Sequence, residues 1–332
     1  MYLEGEDGPT DYTYIKAKHS SLSSNGKARS PPNFKRRYMY ELDSTGSEYL
    51  WSIVGPTGST LSVRLPKKIN NFRDFMAVDI ATGDSDPVYW AVTAARHKWG
   101  YPWATRFSVA MLAYYHTGVA AQAAEYEGEE FWDYLIHNFP HLPRGAARRH
   151  LRGSPGLGAL KCMESLSPNP DKFFEQFPQI YAGVRATCEK RLAQFGPYFQ
   201  LKVCDFMDRC LTMPIRDYRG LAKNLPGEPA KALDAMFPNC KVEYAFNGLC
   251  EEAATWNILA APLFDRPAGP AEVETSLCGW KTTGWKGNWF GADIIDKRQA
   301  LAGYGDKALE MIGMMPPAIP KNLFVCEGWG RL

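Results

Sequence analysis

Residues 103–126, WATRFSVAMLAYYHTGVAAQAAEY, constrain this chain more than any other segment. They are apolar nearly all round. A helix of that kind has no face to give to water, so it must be buried. It needs other elements about it, and the sequence supplies them. VYWAVTAARHKW precedes it, with Asp86-Pro87 as N-cap and first helical residue and Gly100 as the stop. GEEFWDYLIHNF, GAARRHLR, GLGALKCMESL, PDKFFEQF, PQIYAGVRATCEKRLAQF and PYFQLKVCDFMDRCL follow it. EPAKALDAMF, GLCEEAATWNILAA, PAEVETSLCGW, DIIDKRQALAGY and DKALEMIGMM complete the helical series. Short Gly/Pro punctuation separates these blocks, as in a compact helical domain. Gly118 is the expected break within the apolar segment. No βαβ alternation and no fixed-period repeat is visible, which disfavours doubly wound and solenoid folds.

Upstream the pattern changes. YMYEL, YLWSIVG and STLSVRL are short β-branched or aromatic runs separated by DSTGS and GPTGS, which reads as a small antiparallel meander. Before that, Tyr12 to Tyr40 carries seven Lys/Arg and no acid among Ser, Asn and Pro. The expected organisation is a basic flexible arm at 1–37, a β-meander segment at 38–80 and a helical catalytic domain at 81–332. The arm is either a solvated tail or a phosphate-tracking strand.

Composition sets the outer bounds. Of 332 residues, 45% are apolar and 13% aromatic, so a real core is available and wholesale disorder is excluded. A formal charge of +2 does not by itself mark a nucleic-acid binder. No stretch is apolar enough to cross a membrane, and MYLEGEDGPT does not read as a secretory signal. The eight Cys include no CxxC pair, so reduced thiols are expected rather than a disulfide framework or zinc ribbon.

Four constellations could carry chemistry. The first is a helix–hairpin–helix signal. RATCEKRLAQF ends at Phe195-Gly196-Pro197-Tyr198, and a second helix begins at once. Gly196 permits a tight turn, and the next helix N-terminus suits a DNA phosphate. Asp217, in MPIRDYRG, follows at the spacing of the catalytic Asp in helix–hairpin–helix DNA glycosylases, although a helix N-cap is the ordinary alternative. Tyr198 stands where the lyase members of that group carry Lys, and Lys202 lies one turn further on. The second constellation is HLPRGAARRHLRGSPG, which holds Arg144, Arg148, Arg149 and Arg152 without an acid. On a helix, Arg148, Arg149 and Arg152 share a face and could clamp a phosphate or pyrophosphate; a solvated surface helix is the plainer reading.

The third constellation is Tyr114-Tyr115-His116-Thr117-Gly118. A buried His is more often a hydrogen-bonded core residue, but here it could line a pocket in which Tyr115 stacks a base. The fourth is Glu274, Cys278 and Lys281, which recur on one helical face as either a proton relay or a salt-bridged flank. Trp280, Trp285 and Trp289 beyond them read as a shaped wall. No metal-ligand spacing, Walker loop or dinucleotide fingerprint is present.

Taken together, WATRFSVAMLAYYHTGVAAQ, RGAARRHLRGSPGLGALKCM, FGPYFQLKVCDFMDRCLTMPIRD and DRPAGPAEVETSLCGWK resemble the alpha-glutamyl/putrescinyl thymine pyrophosphorylase family of bacteriophage amino acid:DNA transferases. They occur in the family's order over most of residues 100–300. The resemblance implies a mainly α fold, a helix–hairpin–helix DNA-glycosylase-like helical domain with a small N-terminal β-rich segment. It also implies an enzyme acting on double-stranded DNA that bears pyrophosphorylated 5-hydroxymethyluracil. The amine of glycine, glutamate or putrescine would displace pyrophosphate and give a hypermodified thymine. The implied setting is the cytoplasm of an infected bacterial host, with no membrane partner and no cofactor beyond a divalent cation on the pyrophosphate.

On that reading the base is extruded and the pyrophosphate is held by Arg148, Arg149, Arg152 and Lys281, with Lys202 assisting. Tyr115 contacts the base, and Gly196 and Tyr198 contact DNA. Asp217, Glu274 or His116 accepts the amine's proton. Cys278 could instead add to the ring. Direct displacement and a stepwise methide are equally consistent with the sequence. The rival enzyme is a helix–hairpin–helix glycosylase that excises a modified base, and a non-catalytic DNA-binding module is the third reading.

Overall fold

A computed structural model describes residues 38–58, 60–84, 86–286 and 290–326. The basic arm at 1–37 and Trp289 lie outside these residues.

The meander forms as the alternation predicts. Strands β1 (Tyr38–Leu42), β2 (Glu48–Val54) and β3 (Thr60–Pro66) pair antiparallel in that order, with Trp51 opposite Tyr40 on one side and Val63 on the other. The first turn is organised by Asp43, whose carboxylate accepts N–H bonds from Ser47 and Glu48 at 2.9 and 3.2 Å. Tyr49, Trp51, Ile53 and Leu65 are buried on the inner face. Each such side chain contributes about 1.5–3 kcal/mol by leaving water. Beneath them lies α1 (Phe72–Thr82), capped by Asn71, whose side chain accepts the Asp74 N–H. The Trp51 indole donates to the Ala81 carbonyl at 3.2 Å, tying sheet to helix. A short parallel pair, β4 (Lys68–Ile69) with β5 (Val325–Cys326), brings the C-terminal segment back to the sheet, where Phe324 packs on Trp51. The expected boundary at 80/81 falls inside α1, and the buried residues run as one cluster from Tyr49 to Phe324.

The rest of the fold is helical. α2 (Pro87–Trp99) leads into α3 (Tyr101–Tyr114), whose residues from Trp103 onward are all buried, as the all-round apolar sequence requires. The break comes at Tyr115, which takes the left-handed conformation at φ 52°, and His116 then caps α4 (Thr117–Ala123). Gly118 has a different role from the expected one. A Cβ there would sit 2.2 Å from the Ala300 carbonyl and on the Tyr304 ring, so its smallness lets α4 pack closely on residues 300–304. α5 (Gly128–His137), α6 (Gly153–Leu166), α7 (Tyr181–Arg191) and α8 (Pro197–Asp205) follow. α8 runs on through a π turn at Phe206–Cys210. The series ends with α9 (Gly227–Met236), α10 (Val242–Ala253), α11 (Pro270–Lys286), α12 (Ala292–Leu301) and α13 (Asp306–Met314).

Two local expectations change. The block around Arg148 is a single 3-10 turn, Ala146–Arg148, and α6 begins only at Gly153. The three arginines therefore do not share a helical face. Gly145 explains the tight turn: its Cα packs so close to the break in α3 that a Cβ would lie 1.9 Å from the Tyr115 carbonyl. In the hairpin between α7 and α8 the positive φ falls on Gln194, at 65°, while Gly196 is extended with open space around it. Pro197 does open the second helix.

Candidate active site

The α8 sequence places Lys202 and Asp205 in a largely apolar helix, and the π turn adds Asp208 and Arg209. π turns are rare and often occur at functional sites. These charges cannot reach water: Asp205 is fully buried, and Lys202 and Arg209 are 5% and 6% exposed. Other elements must neutralise them. The N-terminus of α2 supplies Asp86 and Tyr89, the start of α11 supplies Glu272, Glu274 and Thr275, and the preceding loop supplies Arg266.

The result is a buried ionic cluster. The Lys202 ammonium donates to Tyr89 Oη at 2.9 Å, Asp205 Oδ2 at 3.1 Å and Asp86 Oδ1 at 3.3 Å. Tyr89 Oη in turn donates to Asp205 Oδ2 at 2.9 Å. Arg209 reaches Asp86 at 3.5 Å, Thr275 Oγ1 at 3.4 Å and Glu272 Oε1 at 3.1 Å. Arg266 forks onto Glu272 at 2.9 and 3.2 Å and also donates to Asp208 Oδ2 at 2.5 Å. The Glu272 carboxylate also accepts the Gly269 N–H at 2.8 Å, at the mouth of α11. Asp86 therefore departs from its expected role. It stands at the N-cap position of α2 but makes no side-chain capping bond, because its carboxylate is spent on Lys202 and Arg209.

The electrostatics follow from this wiring. Burial opposes the charge on Lys202, but Asp86, Tyr89 and Asp205 outweigh it and hold the ammonium well above its ordinary pKa. Lys202 is thus a fixed cation and not a base. Burial also opposes the Glu272 anion, yet Arg209 and Arg266 keep its pKa low. Glu274 is different. It is 2% exposed and makes no hydrogen bond with a described residue. Burial pushes its carboxyl up to about 8, with Lys202 pulling back and Asp205 and Asp86 adding to the rise. Cys278, one turn along α11, is raised to about 12 by burial and by Glu274, so it is a thiol and a poor nucleophile.

Two cavities flank the cluster, and Asp86 and Tyr89 line both. The smaller, about 30 Å³, lies between Asp79, Arg209, Glu272 and Ser276 and has room for a water or two. The larger encloses about 150 Å³ and is lined by Asp86, Tyr89, Tyr115, Lys202, Asp293 and Lys297 among others. Tyr115 is hydrogen-bonded hydroxyl to hydroxyl with Tyr198 and lies under the Lys297 ammonium, 5.4 Å from its ring centre. That bond joins the end of the hairpin to the cavity wall.

The candidates read from sequence are sorted by this geometry. Lys202, Glu274, Tyr115 and Tyr198 come together. His116 is beside them, but its Nδ1 accepts the Val119 N–H at 3.3 Å, and burial first and Lys297 second push its pKa down, so it is a neutral helix cap. Lys281 is paired with Glu228 on α9. Asp217 sits in the loop after the π turn, where it accepts from the Arg219 backbone N–H at 2.8 Å and Nε at 2.6 Å. These bonds hold its pKa low. Its neighbour Tyr218 has a buried hydroxyl whose pKa is held up by burial first and then by the Asp208 and Asp205 charges.

Arg148 is only 1% exposed, donates to the Leu112 and Gln194 carbonyls at 2.8 and 2.7 Å, and stacks 3.3 Å from the Phe199 ring centre. Arg149 and Arg152 are exposed, and Gly196 is exposed at the hairpin tip. Trp280 is core against Phe72 and Phe75, not pocket wall. Missed by sequence reasoning were Asp86, Tyr89, Asp205, Arg209, Glu272, Arg266, Asp293 and Lys297. The charges at 202, 205 and 209 inside an apolar helix were the available signal.

Comparison with known proteins bears on this region. Residues 67–288 match the family model described as amino acid:DNA transferase. The chain is similar to a putrescinyltransferase of Delftia phage PhiW-14, at 30% identity over 256 residues, covering 74% of this chain and 82% of the relative. It is also similar to a glycinyltransferase of Pseudomonas phage PaMx11, at 29% identity over 270 residues, covering 69% of this chain and 89% of the relative. The matched segment contains the whole ionic cluster, from Asp86 to Glu274.

Proposed function

This chain belongs to the amino acid:DNA transferase family, and from that premise we propose that it transfers a small amine onto an activated thymine base in duplex DNA. The acceptor is 5-hydroxymethyluracil carrying pyrophosphate on its exocyclic oxygen. The bond from the exocyclic carbon to that oxygen breaks, pyrophosphate leaves with the electron pair, and a carbon–nitrogen bond forms to the donor. The ammonium proton of the donor passes to a carboxyl of the site. The relatives' names, putrescinyl and glycinyl transferase, support amine transfer, and their phage origin supports an infected bacterial cell as the setting.

The observation that carries this reading is the cavity of about 150 Å³ walled by two lysines, two aspartates and two tyrosines against a buried ionic cluster. Fixed charge in a largely buried wall is what stabilises a developing pyrophosphate anion without reorganisation. Lys202 is the cation so placed. Of the three proton acceptors suggested by sequence, Glu274 is the one inside the cluster, and its pKa of about 8 suits a group that must take a proton from an amine. The reacting carbon sits on the major-groove edge of a stacked base, and bringing it to a cavity inside the protein requires the base to be extruded, at a cost of about a few kcal/mol of unstacking. The α7–α8 hairpin, with Gly196 and Tyr198 at its end, contacts a DNA phosphate in the manner of helix–hairpin–helix glycosylases. Arg149 and Arg152 add positive charge along the strand.

Nucleoside mass spectrometry tests the proposal. Duplex DNA bearing pyrophosphorylated 5-hydroxymethyluracil is incubated with the protein and glycine, glutamate and putrescine. A new nucleoside of the donor's added mass, with release of pyrophosphate, is expected. Unchanged nucleosides and no pyrophosphate would overturn the reading, and abasic sites would replace it with base excision.

A further inference from the structure

We infer that Asp293 and Lys297, neighbouring turns of α12 in the wall of the larger cavity, form a receptor for the ammonium and carboxylate of a short α-amino acid, so that the donor is a zwitterion and not a polyamine. This rests on the transferase reading above and names its donor class.

Residues at i and i+4 on a helix stand one above the other on one face. Asp293 and Lys297 have that spacing, and both line the cavity. They are unlike the other two charges there. Asp86 and Lys202 are already bound to each other and to Asp205 and Arg209. Asp293 forms neither a hydrogen bond nor an ion pair with a described residue. Among the described residues the ammonium of Lys297 has one ion-pair partner, Asp296 at 3.1 Å, besides its place over the Tyr115 ring; that carboxylate is 69% exposed, which makes it a weak partner. The cavity therefore offers side by side a carboxyl without a hydrogen-bond partner, which burial raises to about 6 and Lys297 pulls back toward the ionised form, and one lightly held cation.

Charge balance within the lining favours the same donor. The lining holds two carboxylates and two ammoniums, a formal sum of zero. A zwitterion enters such a space without leaving net charge in it. A diamine brings two positive charges toward Lys202 and Lys297, both of which the surrounding anions hold protonated. Unpaired charge in a low-dielectric wall costs several kcal/mol. Finally, α12 lies beyond the matched residues 67–288. The ionic cluster comes from the matched segment, and this wall comes from outside it, where a donor-selecting contact can differ between relatives that use different amines.

The test has a binding arm and a transfer arm. In equilibrium dialysis without DNA, radiolabelled glycine is expected to bind saturably to the full chain, and radiolabelled putrescine at least tenfold more weakly. Asp293→Asn and Lys297→Met are each expected to reduce glycine binding tenfold or more while leaving the thermal melt within a few degrees. In the transfer assay with both donors present, the glycinyl nucleoside is expected to exceed the putrescinyl one by tenfold. Lys297→Glu is expected to raise the KM for glycine and improve putrescine use, with the Kd for DNA unchanged. Putrescine binding or transfer equal to or above that of glycine overturns the assignment. So does a Lys297→Glu variant that loses both donors equally. Saturable glycine binding without transfer of any amine would leave the receptor standing and remove the transferase reading instead.

Discussion

At the scale of single residues, the site is governed by how burial sorts its carboxyls. Glu272 and Glu274 are two positions apart on α11 and both nearly inaccessible, yet they are driven in opposite directions. Glu272 meets two guanidiniums and stays ionised. Glu274 has no hydrogen-bonded partner among the described residues and rises to about 8. Two consequences follow for Glu274→Gln. If Glu274 takes the amine's proton, the wild-type rate climbs as pH passes through about 8, and the variant loses that limb together with about 100-fold or more in kcat. A Gln variant with the wild-type pH profile would remove Glu274 from the reaction. The stability effect has a definite sign. A carboxyl raised from 4.5 in the unfolded chain to about 8 in the fold contributes its full stability below pH 4.5 and loses it as pH rises toward 8. The loss is on the order of 3–5 kcal/mol. Urea midpoints are therefore expected to fall from pH 5 to pH 9 in the wild type and to fall less in Glu274→Gln.

At the scale of elements, Arg148 is a strut and not an anion ligand. It bonds the Leu112 carbonyl near the end of α3 to the Gln194 carbonyl in the α7–α8 hairpin, with Phe195 and Phe199 on its guanidinium. Arg148→Met leaves two backbone carbonyls unpaired and is expected to cost roughly 2–4 kcal/mol in urea unfolding. Binding of inorganic pyrophosphate to the variant is expected to be unchanged; loss of that binding with no loss of stability would return Arg148 to the clamp. The helices themselves were legible because apolar faces and Gly/Pro stops are local signals. The meander was legible for the same reason. The arginine block was not, because its reading assumed a helical register and the close approach of Gly145 to Tyr115 allows only a 3-10 turn. The ionic cluster was hidden for a different reason. Its pairs join residues 116 and 123 positions apart, as in Lys202 with Asp86 and Arg209 with Asp86. No spacing rule reaches that far. Asp86-Pro87 looked like a helix start, and it is one, but the same carboxylate had a second use that only packing discloses.

At the scale of the whole molecule, the cations of the buried cluster are paired and one group of surface cations is not. Inside, the cations at 202, 209 and 266 are each met by carboxylates. Outside, Arg149, His150 and Arg152 form no ion pair with a described residue and stand clear of the cavity lining. Exposed cations without partners suit a polyanion that passes over the surface and not a pyrophosphate sunk in the cavity. The distinction is measurable. Each phosphate contact contributes close to one unit to the slope of log K against log salt for duplex DNA. The double substitution Arg149→Ala, Arg152→Ala is expected to lower that slope by about two, and to weaken binding equally on unmodified and pyrophosphorylated duplexes. A loss confined to the pyrophosphorylated duplex would instead put these arginines on the leaving group. Equal loss on both would mean that the molecule separates its tasks in space. On that outcome the surface arginines and the hairpin tip would set where the duplex lies, and the buried cations would act only on a base that has left the stack.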